Sequence, residues 1–433
     1  MTRLRWFGLL LAIGSPAEAR SPNVVIIVGD DMGYADVSVQ GCKDVMTPNI
    51  DSLAKNGIRC SNGYVSGPYC SPTRAGLMTG RYQTRFGHEF NPGPKDDNGT
   101  NGLSLKESTI ANRFKEGGYV TGMVGKSHLG YDPKYHPMKR GFDEYFGFLG
   151  GAHTYFAAKS MDIWRGMEKI EEKEYLTDAF GREAVAFIDR HKEKPFLLYL
   201  AFNAVHTPMD ATDKYLERFK NVEGNRKKYC AMMSAMDDNI GLVLAKLRDA
   251  KIEEDTLIFF ISDNGGPAIN ASSNGPLHGH KATTWEGGIR VPWLVQWKGK
   301  LPAGKVYEQP VIQLDIQPTA LAAAGIKAEG TNFDGVNLLP YLEGKNEAAP
   351  HASLFWRFGK QNAVRMGDWK LVEAAGSEGK KLFNLKDDLG ENTDLTAKNP
   401  EKVKELQAAW DEWNKGNVPA TWGQQMAKKK DKN

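Results

Sequence analysis

Four short apolar runs, each followed at once by polar residues, constrain the fold of this chain more than any other feature. The runs cover residues 24–28, 119–124, 196–202 and 257–261, and helical patterns separate them. Short β-branched and apolar runs that alternate with helices are typical of a parallel sheet covered by helices. We therefore predict an α/β fold with a large, mainly parallel central sheet flanked by helices.

The polar residues that follow these runs are predicted to meet at one edge of the sheet. They are Gly29-Asp30-Asp31, Lys126-Ser127-His128, the segment 203–206 and Ser262-Asp263-Asn264. In an open α/β sheet, ligands bind beyond the carboxyl ends of the strands. Side chains that are far apart in sequence can therefore form one site.

The chain is long enough for a second, smaller unit, because its 433 residues exceed what one hydrophobic core usually organises. After Gly325 the pattern changes to glycine and proline punctuation with short runs at 369–373 and 400–413. We predict a catalytic domain over 20–325 and a smaller carboxyl-terminal α+β lobe with its tail over 326–433. Helices that cover the sheet are predicted over residues 108–116, 178–190 after a capping Thr177, and 227–250.

The amino terminus is typical of a signal peptide, which we assign to residues 1–19. Arg3 and Arg5 supply positive charge, residues 7–13 are apolar, and small residues flank the expected cleavage site. A buried amphipathic helix is the weaker alternative, because the polar residues 20–22 separate this run from the next apolar segment. No later run is long enough to span a bilayer. We predict export to the periplasm or the extracellular space, without a stable membrane anchor.

Charge and cysteine content exclude two classes of protein. The 56 basic and 53 acidic residues nearly cancel, which argues against a general nucleic-acid binder. Four cysteines are too few for a disulfide scaffold. A single bridge between Cys42 and Cys60 is conceivable from their spacing, and the lysine-rich end at 428–432 is predicted to be a solvated tail.

Two pairs of polar residues after apolar runs predict a metal site. Adjacent carboxylates such as Asp30 and Asp31 are costly at the end of a buried strand unless positive charge compensates them. With Asp263 and Asn264 they form an all-oxygen set that suits Ca²⁺ or Mg²⁺, whereas zinc is disfavoured without nearby Cys or His ligands. Alone, an Asp-Asp pair is more often a turn or a helix cap, and the second pair favours the metal interpretation.

The strongest local signal is the segment CSPTRAGLMTGR, which begins at Cys70. Pro72 restrains the loop, Thr73 can cap a following helix, and the helix amino terminus would direct backbone donors towards the Cys70 side chain. Arg74 adds a guanidinium fork for oxyanions. The alternative for an arbitrary cysteine is a buried thiol beside a capped helix.

This segment resembles the signature of type I sulfatases, in the alkaline phosphatase superfamily. Further similar stretches are GDDMGYAD, VGKSHLG, HPMKRGFDEYFGF, SDNGG and GGIRVP, so the resemblance extends over most of the chain. Thr73 replaces the commoner serine. The resemblance implies that a separate maturation enzyme oxidises Cys70 to Cα-formylglycine, and that the protein is a sulfuric ester hydrolase that cleaves sulfate monoesters, with sulfated glycans favoured by the predicted export.

The resemblance also implies roles for individual residues. The expected catalytic residues are Cys70, Arg74, Lys126, His128, His206 and Lys281. The expected metal ligands, for Ca²⁺ rather than Mg²⁺, are Asp30, Asp31, Cys70, Asp263 and Asn264. Candidates to line a substrate pocket, outside this set, are His136, Arg140, His153, Trp285, Arg290, Trp356 and Arg357.

Two alternative functions remain open at this point. A phosphonate or phosphodiester hydrolase can share the formylglycine motif and an oxygen-rich metal site. A noncatalytic binder of sulfated glycans would keep Cys70 as a thiol. The first differs in substrate and the second in the chemical state of one side chain.

Overall fold

The computed structural model describes residues 20–94, 99–156, 163–328 and 330–423. The predicted signal peptide and the lysine-rich end at 428–432 lie outside these ranges. The described residues form the strands β1 (Asn23–Gly29), β2 (Ile58–Cys60), β3 (Gly63–Tyr64), β4 (Val120–Lys126), β5 (Glu144–Phe148), β6 (Ile163–Arg165), β7 (Glu168–Ile170), β8 (Phe196–Ala201), β9 (Thr256–Ser262), β10 (Trp293–Gln296), β11 (Lys305–Tyr307), β12 (Val311–Ile312), β13 (Leu354–Phe358), β14 (Gln361–Met366), β15 (Trp369–Glu373) and β16 (Lys381–Asn384). The α-helices in the same ranges are α1 (Pro48–Lys55), α2 (Cys70–Thr79), α3 (Ile110–Glu116), α4 (Leu176–His191), α5 (Asp213–Leu216), α6 (Gly224–Asp249), α7 (Glu286–Ile289), α8 (Ile316–Ala324), α9 (Leu339–Leu342) and α10 (Pro400–Asn414).

The central sheet contains ten of these strands, in the order β11-β2-β10-β9-β1-β8-β4-β5-β6-β7. β1 runs parallel to both β8 and β9, and β4 runs parallel to β8 and β5, while β10, β6 and β7 add antiparallel pairs. Every residue of β1 is buried, as expected for a strand covered on both faces. The predicted α/β fold with a mainly parallel sheet is confirmed.

Helices cover both faces of this sheet because alternate strand residues point to opposite sides. Val25 and Ile27 of β1 pack in one core with residues of α1, α4 and α6. Val24 and Ile26 pack in a second core with residues of α2, α3 and α8. None of the described helices combines the length and the apolar character needed to cross a membrane.

The carboxyl-terminal lobe is a small antiparallel sheet packed against the body. Its strand order is β13-β14-β15-β16, and α10 packs on this sheet through the buried Leu406. On the other side the fully buried Trp356 of β13 shares a core with Tyr64 of the body. The indole nitrogen of Trp356 donates to the Val65 carbonyl at 2.7 Å. Both apolar burial and a hydrogen bond therefore join the lobe to the body.

Three predicted helix starts differ from the observed ones. α3 begins at Ile110 instead of residue 108. Thr109 caps it, because its hydroxyl accepts from the backbone amide of Asn112 at 3.1 Å. α4 begins at Leu176, whose amide donates to the Tyr155 carbonyl at 2.7 Å. Thr177 therefore lies inside the helix, and its prediction as a cap was wrong. α6 begins at Gly224, three residues before the predicted start.

The conceivable bridge between Cys42 and Cys60 is also wrong. Cys60 is fully buried in one core, whereas Cys42 packs against the core on the opposite face of the sheet. The Cys42 thiol instead donates to Asp44 at 3.0 Å. Within the described residues, Cys70 and Cys230 are free thiols as well.

Candidate active site

The polar residues that follow the strands converge at one edge of the central sheet. Asp30 and Asp31 follow β1, and Asp263 and Asn264 follow β9 at the same level, since Gly29 pairs with Ser262. The Asp31 amide donates to Asp263 Oδ1 at 3.2 Å. The sheet topology thus brings together residues that are more than 200 positions apart.

Cys70 lies at the centre of this group as the first residue of α2. Its side chain is buried, and its sulfur lies 3.7 Å from Asp30 Oδ1 and 4.0 Å from Asp31 Oδ1. Lys281 arrives from the loop before α7 and places its Nζ 3.2 Å from the same sulfur. The predicted nucleophile position therefore contacts both predicted metal-binding carboxylates and one predicted catalytic lysine.

Thr73 does not cap the helix as predicted, because α2 begins three residues earlier. Its hydroxyl donates to the Gly67 carbonyl at 2.7 Å and holds the preceding loop. At the start of the helix, the Ser71 amide donates to the side-chain oxygen of Asn91 at 2.9 Å. The side chain of Asn91, which lies in another loop, therefore accepts from a backbone amide that a capping side chain would otherwise bind.

Three cations pair with the three carboxylates of the site. Lys126 Nζ lies 2.5 Å from Asp30 Oδ2, and Lys281 Nζ lies 2.6 Å from Asp31 Oδ1. The guanidinium of Arg74 donates to Asp263 Oδ2 at 3.0 and 2.7 Å. The sequence argument expected a metal ion to compensate the carboxylates, but basic side chains already do so. A divalent cation would therefore make the site net positive, which favours an anionic ester.

Burial and the neighbouring charges shift the protonation of these groups. Burial raises the pKa of the Cys70 thiol to about 12, although Lys126 and Lys281 favour the thiolate. Burial also raises the pKa of Asp30, with the charge of Asp263 as the next cause. For Asp263, burial is outweighed by Arg74 and the two lysines, which lower its pKa to about 2. At neutral pH the unmodified thiol is protonated and Asp263 is ionised.

The donor atoms of the site fit a hard divalent cation. Ligand atoms of Asp30, Asp31, Cys70 and His206 all lie within 4.8 Å of one another. The side-chain oxygen of Asn264 is buried and finds no hydrogen-bond partner among the described residues, while its amide nitrogen donates to Asp31 Oδ1 at 2.8 Å. A buried oxygen without a donor is what a cation would satisfy.

One predicted ligand and one predicted catalytic residue take different places in this donor set. Asp263 stands outside the group of four, because its oxygens accept from Arg74 and from the Asp31 amide. His206 stands inside it, with Nε2 at 3.6 Å from Asp31 Oδ2. Its Nδ1 lies 2.5 Å from the Thr207 carbonyl, which only accepts, so Nδ1 carries the proton and Nε2 faces the site when the ring is neutral.

Asp31 and His128 both adopt the left-handed backbone conformation, with φ of 63° and 56°. Non-glycine residues there are strained, and such strain clusters at functional sites. The His128 amide donates to the Leu149 carbonyl at 3.1 Å, which helps to hold this conformation. Burial lowers the pKa of His128 well below its usual value, so the ring is neutral.

With this geometry in place, the comparisons with known proteins decide the family. The family described as Sulfatase matches residues 22–326, and the family described as N-sulphoglucosamine sulphohydrolase, C-terminal, matches residues 278–415. The chain belongs to the sulfatase family. It is a sulfuric ester hydrolase, as the resemblance predicted.

Individual relatives agree with this assignment. The sulfatase is 36% identical over 358 residues to the human N-acetylgalactosamine-6-sulfatase, with 76% of this chain and 67% of the human one covered. The crystal structure of Ps i-CgsB in complex with k-i-k-neocarrahexaose superposes with a TM-score of 0.88 at 37% identity, covering 93% and 95% of the two chains. The phosphonate monoester hydrolase of Agrobacterium radiobacter, at 20% identity, covers 90% and 96% with a TM-score of 0.66 and shares the fold.

Sequence reasoning missed two sets of supporting residues in this sulfatase. The Asn270 amide donates to the carbonyls of Asp31 and Val205, both at 3.1 Å. Ser71 and His88 form a hydrogen-bonded link to the His128 carbonyl. None of the three residues follows a strand directly, so the strand-end pattern that found Asp30, Lys126 and Asp263 could not find them.

Most of the candidates for the substrate pocket hold the fold instead. Arg140 donates to the carbonyls of Leu103, Ser104 and Glu107. Arg290 donates to the Ser61 carbonyl, while Arg357 pairs with Glu89 and Trp356 is fully buried. His136 packs edge-on against Tyr145 and Trp164, and Trp285 against Phe383. His153 is partly exposed and lies 5.2 Å from the Phe148 ring.

Proposed function

We propose that this sulfatase hydrolyses sulfate monoesters on sulfated glycans, using a formylglycine made from Cys70 and a bound Ca²⁺. The observation that carries the proposal is the position of Cys70. Its sulfur lies within 4.0 Å of Asp30, Asp31 and Lys281, which come from two other segments of the chain. A buried cysteine surrounded by three acids and three bases is poorly explained as packing alone.

The ion would be held by Asp30, Asp31, the modified side chain at position 70, Asp263 and Asn264. Carboxylate and amide oxygens favour Ca²⁺, with Mg²⁺ as the less favoured ion. When bound, the ion would lower the pKa of the attacking hydroxyl and offset the charge of the sulfate group. The unpaired Asn264 oxygen supports this assignment without identifying the ion.

A separate maturation enzyme would convert Cys70 to the aldehyde. Its hydrate would supply one hydroxyl that attacks sulfur and a second whose collapse to the aldehyde releases sulfate. His128 would accept the proton of this second hydroxyl. Its backbone is fixed on both sides, by Leu149 and by Ser71, so the ring has a defined position.

The remaining side chains would bind and activate the ester. His206 and Lys281 would bind the sulfate group and protonate the departing alcohol oxygen. Both border the opening of the site, since their side chains are 17% and 10% exposed, whereas Lys126 and Arg74 are almost fully buried. Lys126 and Arg74 would therefore act electrostatically from behind the reacting group.

A glycan is the substrate class that the relatives support. One is named for a sulfated amino sugar and another was crystallised with a hexasaccharide. Export after removal of residues 1–19 would bring the enzyme to such polymers. Within the chain, residues 20–325 would form the catalytic domain and 326–433 the smaller lobe.

Mass spectrometry of the Cys70 peptide tests the modification. In native secreted material we expect an aldehyde oxygen in place of the sulfur at position 70. The Cys230 peptide is the internal control and keeps its thiol. An unmodified thiol at position 70 in material that turns over substrate would overturn the proposed nucleophile, and an unmodified thiol in inactive material would favour the noncatalytic binder.

A kinetic panel tests the reaction and the substrate. Aryl sulfates, aryl phosphonates and regiodefined sulfated saccharides are compared by kcat/KM at equal enzyme and metal content. We expect sulfate esters to exceed phosphonates by orders of magnitude, with a sulfated saccharide as the best substrate. A reversed preference would replace the proposal with a phosphonate hydrolase.

A further inference from the structure

The segment that follows α10 lies against residues 84–90, which follow α2 in the chain. We name residues 417–423 the carboxyl-terminal strap. Its backbone amides at Val418 and Thr421 donate to the carbonyls of Thr84 and Gly87, at 3.0 and 2.9 Å. The indole nitrogen of Trp422 donates to the Phe90 carbonyl at 3.0 Å. Three hydrogen bonds therefore fix the strap along residues 84–90.

Trp422 also covers one face of a buried histidine. Its ring packs edge-on against His88 with the ring centres 4.7 Å apart. His88 is fully buried, and burial lowers its pKa to about 3, so the ring is neutral and carries a single proton. The position of that proton follows from the partners of the ring.

His88 is linked through Ser71 to the residue proposed to accept a proton. The Ser71 hydroxyl lies 2.5 Å from the His128 carbonyl, which can only accept, so the hydroxyl hydrogen points there. His88 Nε2 lies 2.6 Å from the same hydroxyl oxygen and must donate to it. The order of donation is therefore His88 to Ser71 to the His128 carbonyl.

These hydrogen bonds connect His88 to two residues of the site, Ser71 beside Cys70 and the proposed proton acceptor His128. Ser71 directly follows Cys70 in α2, and His128 holds a left-handed backbone conformation. A bond to the His128 carbonyl restrains the peptide that sets this conformation, because a non-glycine residue otherwise leaves it readily. Small displacements of reacting groups are costly in rate even when substrate binding is unchanged.

We infer that His88 is a positioning residue, held by the carboxyl-terminal strap, that fixes Ser71 and the His128 backbone for turnover. The inference rests on the proposed catalytic role of His128. The carboxyl-terminal segment would then contribute to catalysis without touching substrate. A purely structural role for His88 predicts a loss of stability without a selective loss of kcat.

The positioning role of His88 is tested with three full-length variants, His88→Leu, His88→Gln and Trp422→Ala. Val418→Ala is the control from the same strap. Val418 is 42% exposed and uses only its backbone here. We expect His88→Leu to lower kcat roughly tenfold or more with KM within about twofold. Glutamine, whose amide nitrogen can replace Nε2, should recover most of the loss. Trp422→Ala should lower kcat severalfold, and Val418→Ala should leave it unchanged.

Formylglycine content, metal content and melting temperature are measured on each variant, and rates are compared per modified, metal-loaded enzyme. Hydrogen exchange of peptides covering 70–76 and 126–130 is followed in parallel and should accelerate in His88→Leu and Trp422→Ala only. If His88→Leu does not fold, Trp422→Ala and His88→Gln decide by the same measures. Unchanged kcat and exchange in Trp422→Ala, or equal impairment by leucine and glutamine, would overturn the inference. An inactive wild type would instead reject the proposed function, and the exchange data would still test the link.

Discussion

Two buried clusters of charge, one with Lys281 from the loop before α7 and one with Glu286 at the start of α7, differ in how their carboxylates are paired. The first, which we name the Cys70 cluster, contains the unpaired Asn264 oxygen. Its members are Asp30, Asp31, Cys70, Asp263, Asn264, Arg74, Lys126 and Lys281. The lobe network is made of Glu286, Lys370 and Glu391. Lys370 Nζ lies 2.9 Å from a carboxylate oxygen of each glutamate.

The lobe network joins the carboxyl-terminal sheet to the body. Lys370 belongs to β15 and Glu286 begins α7, and the Glu286 amide donates to Glu391 at 2.8 Å. The second oxygen of Glu286 accepts from the Tyr64 hydroxyl at 2.6 Å. The carboxylates of this network therefore share one cation inside the protein, and Glu391 Oε1, which makes no hydrogen bond, still lies 2.9 Å from Lys370 Nζ. In the Cys70 cluster, the side-chain oxygen of Asn264 finds no hydrogen-bond partner among the described residues. Burial of charge alone does not identify a functional site. At the Cys70 cluster, the feature that favours a bound cation is an unpaired oxygen beside buried carboxylates.

Cys70→Ala is expected to separate the two clusters most strongly. Loss of the nucleophile should lower kcat/KM for an aryl sulfate by roughly 10⁵-fold or more, while the fold is kept. Cys42→Ala, which changes a cysteine in the opposite core, is the matched control and should keep its activity. Activity near the wild-type value in Cys70→Ala would contradict the proposed chemistry.

Removal of the metal should affect only the Cys70 cluster. Chelation, or the double change Asp30→Asn with Asp31→Asn, is expected to lower the rate by roughly 10³-fold or more and to remove bound calcium measured by mass spectrometry. Added Ca²⁺ should restore the chelated wild type but not the variant. The surface change Asp238→Asn is the control, and full activity in metal-free enzyme would exclude the proposed ion.

Lys370→Met should affect stability instead of turnover. It leaves Glu286 and Glu391 buried without their shared cation, so we expect a loss of about 3–4 kcal/mol in the free energy of unfolding. Urea unfolding measures this, and the exposed Lys404→Met should change it by less than about 0.5 kcal/mol. The activity per folded molecule should stay within about threefold of wild type. A large loss of activity in the folded variant would remove the distinction between the clusters.

The Cys70 cluster could be anticipated from the sequence because the topology obeys a general rule. Asp30, Lys126 and Asp263 each end or follow a buried strand, and parallel strands bring such positions to one edge. Asn91, Asn270 and His88 reach the site from loops whose paths depend on packing, and no local pattern marks them. The segment CSPTRAGLMTGR indicated the nucleophile, yet it misplaced the helix start at Thr73.

The lobe network could not be anticipated for a related reason. Lys370 is the second residue of the five-residue strand β15, and Glu391 lies in a polar loop; at both positions a charged residue is usually solvated. Only the docking of the lobe on the body buries both. The same docking engages Trp356 with Val65 and Arg357 with Glu89, although the sequence analysis named both as candidate pocket residues. Contacts between the lobe and the body therefore limit what sequence patterns can predict.

The smallest expected effect concerns the pH dependence of the lobe network. Burial, helped by the charge of Glu286, raises the pKa of Glu391 from 4.5 to about 7, while Lys370 and Arg290 outweigh burial at Glu286 and lower its pKa to about 2. The two carboxylates titrate as a pair around one lysine, with Glu391 as the group that takes up the proton.

Because the folded state binds this proton more tightly than the unfolded state, its contribution to stability is complete below pH 4.5 and is lost as the pH rises through about 7. Glu391→Gln removes this titration, so the difference in unfolding free energy between variant and wild type should change by about 3 kcal/mol across that range. Groups of the Cys70 cluster titrate in both proteins and cancel in the difference. Urea unfolding at a series of pH values measures it, and parallel stability curves for the two proteins would show that Glu391 is ionised throughout. The pH profile of kcat should be the same in both, since the network lies outside the reacting groups.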